Sequence, residues 1–269
     1  MVNNFSMYLY IILKRKVVNY KINEVNASDL NLNSFKVRNE LNQKLWVNGK
    51  LNSRVRLRLL DIVNDFIREL SINVEPEDIV FTGSLANYNW SKYSDIDIHL
   101  VYDFKKIYKD KEFVDDYFKT KRDLWNNSHE DLKIYGFPIE ISVEDKDNDR
   151  VSTGVYSLNT NKWISEPNNF DDVSINEKYI KEYSAKVMTE IDDIEKVLKK
   201  EKDNHRIEKK SEKVKKLFDR LKKMRKESLS RSGEMSSGNI IWKLLRRTGY
   251  LDKMWDIIDN SYNKINTLK

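Results

Sequence analysis

An α+β fold is what this sequence predicts, and three observations carry the prediction. Residues 95–101 alternate carboxylate and apolar side chains with the period of a half-buried strand. Residues 55–70 place apolar side chains at helical spacing, and from about Asn176 onward the apolar pattern is helical throughout. Strands and helices therefore intermingle in the first part of the chain, and an α-helical C-terminal lobe follows.

In chain order, the first apolar run is Met7–Leu13, roughly a third of what a membrane-spanning helix needs. Lys14, Arg15 and Lys16 follow this run, whereas a secretory signal puts positive charge before it. No membrane span and a cytoplasmic location are expected, and residues 1–50 form an N-terminal segment with no assigned structure. Val55, Leu59, Ile62, Val63, Phe66, Ile67 and Leu70 predict a helix that Asn52 or Ser53 caps. After the breaker at Pro76, Asp78–Thr82 reads as a short strand ending at Gly83, followed by a short helix from Ser84 to Asn89. The 95–101 strand comes next, then a helix over 112–126 built on Val114, Tyr117, Phe118 and Leu124. Leu132–Tyr135 and Phe137–Val143 flank Gly136 as two strands joined by a tight turn, and Val151–Leu158 is a further strand before the Asn159-Thr160-Asn161 turn.

The sheet-bearing domain is placed at 51–165 and the helical, basic domain at 166–269. In the latter, Ala185, Val187, Ile191, Ile194 and Leu198 mark one helix, and Ile207, Val214, Leu217, Phe218, Leu221 and Met224 the next. A Ser- and Gly-rich break at 228–238 separates them from the apolar run Ile240–Ile265.

Composition narrows the chemistry. The 269 residues contain no cysteine, which excludes disulfides, a thiolate nucleophile and any Cys-based metal site, and three scattered histidines argue against a His-only one. With 14 Tyr, 10 Phe and 6 Trp the chain has ample surface to bury and is no low-complexity polymer. Between Lys196 and Arg231 there are 16 Lys or Arg against 6 Asp or Glu, so a net charge of +6 conceals a basic stretch on a mildly acidic body. Such a stretch is either a track for RNA phosphates or the solvated face of an amphipathic helix, and its apolar positions favour a packed helix with a basic outer surface.

The chemistry concentrates in Phe81-Thr82-Gly83-Ser84 and, ten residues on, Asp95-Ile96-Asp97-Ile98. Carboxylates at i and i+2 of a strand share a face, while Ile96, Ile98 and Leu100 turn to the core. Oxygen donors so placed suit Mg2+ or Mn2+, and a pair of such ions can clamp both the attacking and the leaving oxygen of a phosphoryl group. A glycine after a strand lets backbone approach a ligand, and Ser84 can open a helix whose N-terminal amides receive phosphate. Glu140, alone among the apolar residues of Ile139-Glu140-Ile141, supplies a third acid on a neighbouring strand, able to bind metal or accept a hydroxyl proton.

Thr82-Gly83-Ser84, Ser94-Asp95-Ile96-Asp97-Ile98 and the later Ile139-Glu140-Ile141 resemble the motif set of the DNA polymerase β-like nucleotidyltransferase superfamily over about residues 55–158. The chain is also similar to stand-alone nucleotidyltransferases of bacteriophages, through Leu85-Ala86-Asn87-Tyr88-Asn89-Trp90 and Leu244-Leu245-Arg246-Arg247-Thr248-Gly249-Tyr250. The resemblance implies a palm domain, a small mixed sheet backed by helices, with two Mg2+ (or Mn2+) ions and transfer of an NMP from an NTP with release of pyrophosphate. It carries over Asp95, Asp97 and Glu140 as the metal-binding and catalytic acids, although many members have Asp where Glu140 stands. Gly83 and Ser84 match the phosphate-binding pair. In two-lobed members cations of the second lobe reach the triphosphate, which points to Lys243, Arg246 and Arg247 across a cleft between the lobes.

The resemblance names no acceptor; an RNA end reached along the basic helices is the favoured one. Alternatives are a synthase of a signalling cyclic or oligonucleotide and a noncatalytic nucleotide-binding regulator or antitoxin-like partner. His99 falls on the face of the two aspartates, where a structural role outweighs substrate contact. Among Trp90, Tyr93 and Tyr156, Tyr156 is the residue chosen to stack on a base. Glu144 and Asp145 read as a polar strand end.

Overall fold

The computed structural model describes residues 25–148, 152–168 and 175–267. Among these, residues 34–168 form one compact unit, and residues 25–33 with 175–267 form a second. The apolar run Met7–Leu13 lies outside the described residues.

The first unit opens with a small hairpin, β1 (Trp46–Val47) and β2 (Lys50–Leu51), then α1 (Ser53–Leu70). The Asn52 side chain caps α1 by accepting the Arg54 amide at 2.9 Å, and the helix ends where Ser71 turns left-handed at φ 52°. β3 (Asp78–Thr82) leads into a single 3-10 turn over Ser84–Ala86 and then β4 (Ile96–Tyr102). A one-turn helix α2 (Phe104–Ile107) and α3 (Lys111–Ser128) return the chain to β5 (Lys133–Ile134) and β6 (Phe137–Asp145). Tyr135 and Gly136 join these two strands with φ of 51° and 89°, the backbone of a two-residue hairpin turn whose twist matches its strands. β7 (Val155–Ser157) and β8 (Lys162–Ser165) complete a six-stranded sheet in the order β5-β6-β4-β3-β7-β8. Only the β4–β6 pairing is parallel, which requires the crossover through α2 and α3.

One face of the sheet supplies the core. Ile96, Ile98, Leu100 and Ile141 are fully buried in a cluster with Leu59, Val63 and Phe66 of α1, Phe118 and Trp125 of α3, and Leu45 and Trp46. Residues before the expected boundary at 51 are thus part of this core. Truncating one such side chain, as in Leu59→Ala, costs about 2–5 kcal/mol through the apolar burial forgone and the cavity left behind.

Several local expectations are corrected. The helix expected over 84–89 is only the 3-10 turn, because Asn87 leaves helical backbone and uses its side chain to hold other segments. The strand expected over 151–158 shortens to Val155–Ser157, with Val151 outside the described residues, and β8 had no forecast. Glu144 and Asp145 are not a free polar end: Glu144 lies 2.9 Å from His99, and buried Asp145 takes hydrogen bonds from the Lys111 ammonium and the Phe104 amide, anchoring α2 and α3.

The second unit holds four α-helices among its described residues, α4 (Glu177–Lys200), α5 (Asn204–Ser232), α6 (Ser237–Arg247) and α7 (Tyr250–Asn266). Asn176 and Asp203 cap α4 and α5 through their side chains. The break expected at 228–238 narrows to a few residues after Ser232, where Gly233 takes φ 68°, and the last apolar run divides at Gly249, with φ 79°. Phe218 of α5 packs edge-on against Trp242 of α6 and Trp255 of α7, at 5.4 and 4.9 Å between ring centres.

Lys253 is buried in this unit, its Nζ 2.5 Å from Asp192 and 2.8 Å from Glu195. Burial alone would lower its pKa, but the hydrogen bonds and charges of the two carboxylates prevail and raise it. Burial likewise works against ionised Glu195, yet Lys199 and Lys253 together hold its pKa below the usual value. Among the described residues no helix is long and apolar enough to cross a membrane.

Candidate active site

The three acids singled out in the sequence meet at one end of the sheet. Asp97 on β4 stands beside Glu140 on β6 in parallel register, and beside Thr82 on β3 in antiparallel register. Asp95 precedes β4 by one residue. One carboxylate oxygen from each of Asp95, Asp97 and Glu140 lies within 4.8 Å of the other two, and all three side chains are half-buried. The period of the strand explains the arrangement: with Ile96, Ile98 and Ile141 fully buried on one face, their polar neighbours are forced to the other. Three like charges so crowded repel one another unless a cation lies among them. The set is all oxygen, the donor chemistry of Mg2+ or Mn2+.

Gly83 is required twice over. Its φ of 75° and ψ of −166° fall in a region that essentially only glycine occupies. A Cβ there would also sit 1.7 Å from Asp97 Oδ2, so the carboxylate rests directly against the glycine backbone. Ser84 begins the 3-10 turn, and its hydroxyl donates to Ser94 Oγ at 2.7 Å. Ser94 Oγ also accepts the Ser91 amide at 3.0 Å, so the glycine-serine motif and the loop that delivers Asp95 are tied together. A single turn rather than a helix follows Gly83, and the expected helix dipole is lost with it.

Two residues that sequence reasoning passed over lock this corner. The buried Asn87 amide donates to the Gly83 carbonyl at 2.7 Å and to Ser152 Oγ at 2.9 Å; its side-chain oxygen accepts from Thr153 Oγ1 at 2.7 Å and the Gly154 amide at 2.9 Å. Gly154 leaves room for this, since a Cβ there would lie 2.0 Å from the Ala86 carbonyl oxygen. An asparagine in a turn and a glycine inside an expected strand carry no periodic signal, and only their spatial partners give them meaning.

Tyr156 is fully buried, its ring 5.1 and 5.0 Å from those of Trp46 and Trp163, and its hydroxyl donates to Asn161. The inward alternation of β7 puts it in the core. Trp90 donates its indole N–H to the Glu40 carbonyl at 2.8 Å, and Tyr93 is exposed. His99, one register step beyond Asp97 on the same face, pairs with Glu144. In the second unit, Lys243 holds Glu234 at 2.6 Å, Arg246 is exposed and Arg247 is half-buried. At the far ends of β4 and β6 the electrostatics differ, for the hydrogen bond from Lys146 keeps the Asp103 carboxyl below its ordinary pKa, and that from Lys105 does the same for Asp147.

Residues 59–162 match the family model of the nucleotidyltransferase domain, a span that includes Gly83, Ser84, Asp95, Asp97 and Glu140. The match supports the DNA polymerase β-like superfamily and nucleotidyl transfer in general. No curated protein and no solved structure matches the chain.

Proposed function

We propose that the chain transfers a nucleoside monophosphate from an NTP to a hydroxyl acceptor and releases pyrophosphate. One observation carries the reading: the carboxylates of Asp95, Asp97 and Glu140 within 4.8 Å of one another, with Asp97 seated against Gly83. The three acids would hold divalent cations, Mg2+ or Mn2+ and two in number, whose chemistry is to neutralise charge on the triphosphate and lower the pKa of a bound hydroxyl. The Gly83 and Ser84 amides take the β and γ phosphates, and Lys243, Arg246 and Arg247 are assigned to the nucleotide in the same reading. In the chemical step the acceptor oxygen bonds to the α-phosphorus while the bond from that phosphorus to the bridging oxygen breaks. Glu140 accepts the hydroxyl proton and passes it to solvent, and the electron pair leaves with pyrophosphate.

An RNA end is the favoured acceptor, because α5 carries a basic, exposed outer surface over a buried row of Ile207, Val214, Leu217, Phe218 and Leu221. Incubation with each labelled NTP and Mg2+ or Mn2+, with and without RNA, tests the reading beside Asp95→Ala and Asp97→Ala. Label on RNA in the wild type alone is the expected result. Product from NTP alone would replace the RNA acceptor with a signalling nucleotide, and absence of product under every condition with NTP still bound would leave a binding protein.

A further inference from the structure

The same unit also holds an open hollow of about 690 Å³, lined by none of Gly83, Ser84, Asp95, Asp97 and Glu140. Its walls come from residues 38–44, from Trp90 and Lys92 in the loop that runs into Asp95, and from Phe137 at the start of β6. Phe137 precedes Glu140 by three residues, roughly 10 Å of extended strand.

Three cations stand around the hollow, Arg38, Lys44 and Lys92, all exposed, and among the described residues none has a carboxylate partner. The one acid in the wall, Glu40, is already taken by the Gln43 amide. Lys105, Lys106, Lys111, Lys146, Lys243 and Lys253, by contrast, each hold an acid. The Arg38 guanidinium lies 5.0 Å from the ring centre of half-buried Trp90, making a flat aromatic and cationic platform. Unneutralised positive charge beside an aromatic plane is the chemistry that binds single-stranded nucleic acid, where bases stack and phosphates meet cations.

We propose that this hollow seats the nucleotides just behind the reacting end of a single-stranded polynucleotide acceptor, whose terminal hydroxyl then lies at Asp95, Asp97 and Glu140. Its place in catalysis rests on the transferase reading above; the binding does not. The hollow assigns strand recognition to residues 38–44 and the 90–92 loop, ahead of the basic surface of α5.

The experiment is anisotropy of a 5′-fluorescein single-stranded oligoribonucleotide against the full chain over a salt series, with Lys44→Glu and Lys92→Glu as variants. Both positions are exposed, and circular dichroism checks that each variant keeps its fold. Wild type is expected to bind, and each reversal to weaken binding about tenfold and flatten the salt dependence, by roughly 0.7 in log–log slope for each phosphate no longer neutralised. Binding retained by Asp95→Ala supports the separation of the two subsites. The inference is overturned if wild type does not bind, if both reversals leave affinity and slope unchanged, or if polyglutamate competes as well as the oligonucleotide. It is also overturned if Lys215→Glu with Lys216→Glu on α5 abolishes binding that the hollow variants leave intact. Absent turnover with Lys44- and Lys92-dependent binding would sink the transferase reading and uphold this one.

Discussion

Two charged clusters in this chain are built on opposite rules. In the sheet-bearing unit Asp95, Asp97 and Glu140 gather three like charges at half-buried positions, held there by a backbone that only glycine can adopt at residue 83. In the helical unit Lys253 sits between Asp192 and Glu195, with Tyr250 donating its hydroxyl to Asp192 at 2.8 Å. The second arrangement compensates its own charge and holds α4 to α7, whereas the first brings three acids together on one face of the sheet.

Variants at the two clusters therefore separate activity from stability. Asp97→Ala should reduce turnover by about 10³-fold or more, because several kcal/mol of charge stabilisation go with the lost ligand. Its melting temperature should stay level or rise, and the stabilisation that Mn2+ gives wild type in a thermal melt should vanish. A collapsed melting temperature would mean that Asp97 is structural. Gly83→Ala joins both effects: the clash with Asp97 Oδ2 should cut turnover about 100-fold, and forcing alanine into that backbone region should cost about 1–3 kcal/mol in a denaturant titration.

Lys253→Met is the mirror image, with full turnover and a loss of about 3 kcal/mol, since two acids remain beside an apolar chain. Acid titration sharpens the contrast. The pKa of Glu195 is lowered by folding, so its contribution is present above its unfolded value of about 4.3 and is lost as the pH falls below it. The stability gap between wild type and Lys253→Met should accordingly narrow as the pH falls below about 4, and a constant gap would disprove the charge origin. Raised Lys253 gives the opposite edge, with stability present below about 10.4 and lost as the pH climbs through its folded value. The smallest effect belongs to exposed pairs such as Glu212–Lys216, where Lys216→Ala should change stability by no more than about 0.5 kcal/mol.

What the sequence made legible was whatever repeats with a period. The α1 stripe, the alternation of β4, the Gly136 turn and the long helices of the second unit follow from spacing alone, as does the common face of Asp95 and Asp97. Glu140 was legible because one acid among apolar neighbours on a strand needs a reason to be there. Short elements whose stability comes from distant partners were hidden. The Ser84 turn ends early because Asn87 bonds to residues more than sixty positions away, and β8 exists because β7 gives it an edge to pair with. Tyr156 misled for the same reason, as an aromatic near a motif in sequence that Trp46 and Trp163 claim in space.

The parallel pairing of β4 with β6 also governs when the site comes into being. Asp97 and Glu140 become neighbours only when β6 pairs with β4 across the intervening α2, α3 and β5, a long-range closure that is slow compared with forming helices. A partly folded or truncated chain ending before residue 140 would have only two of the three acids, and so could not assemble the full cluster. In a refolding experiment, the arrival of tight cation binding would then act as a clock for the docking of a single strand.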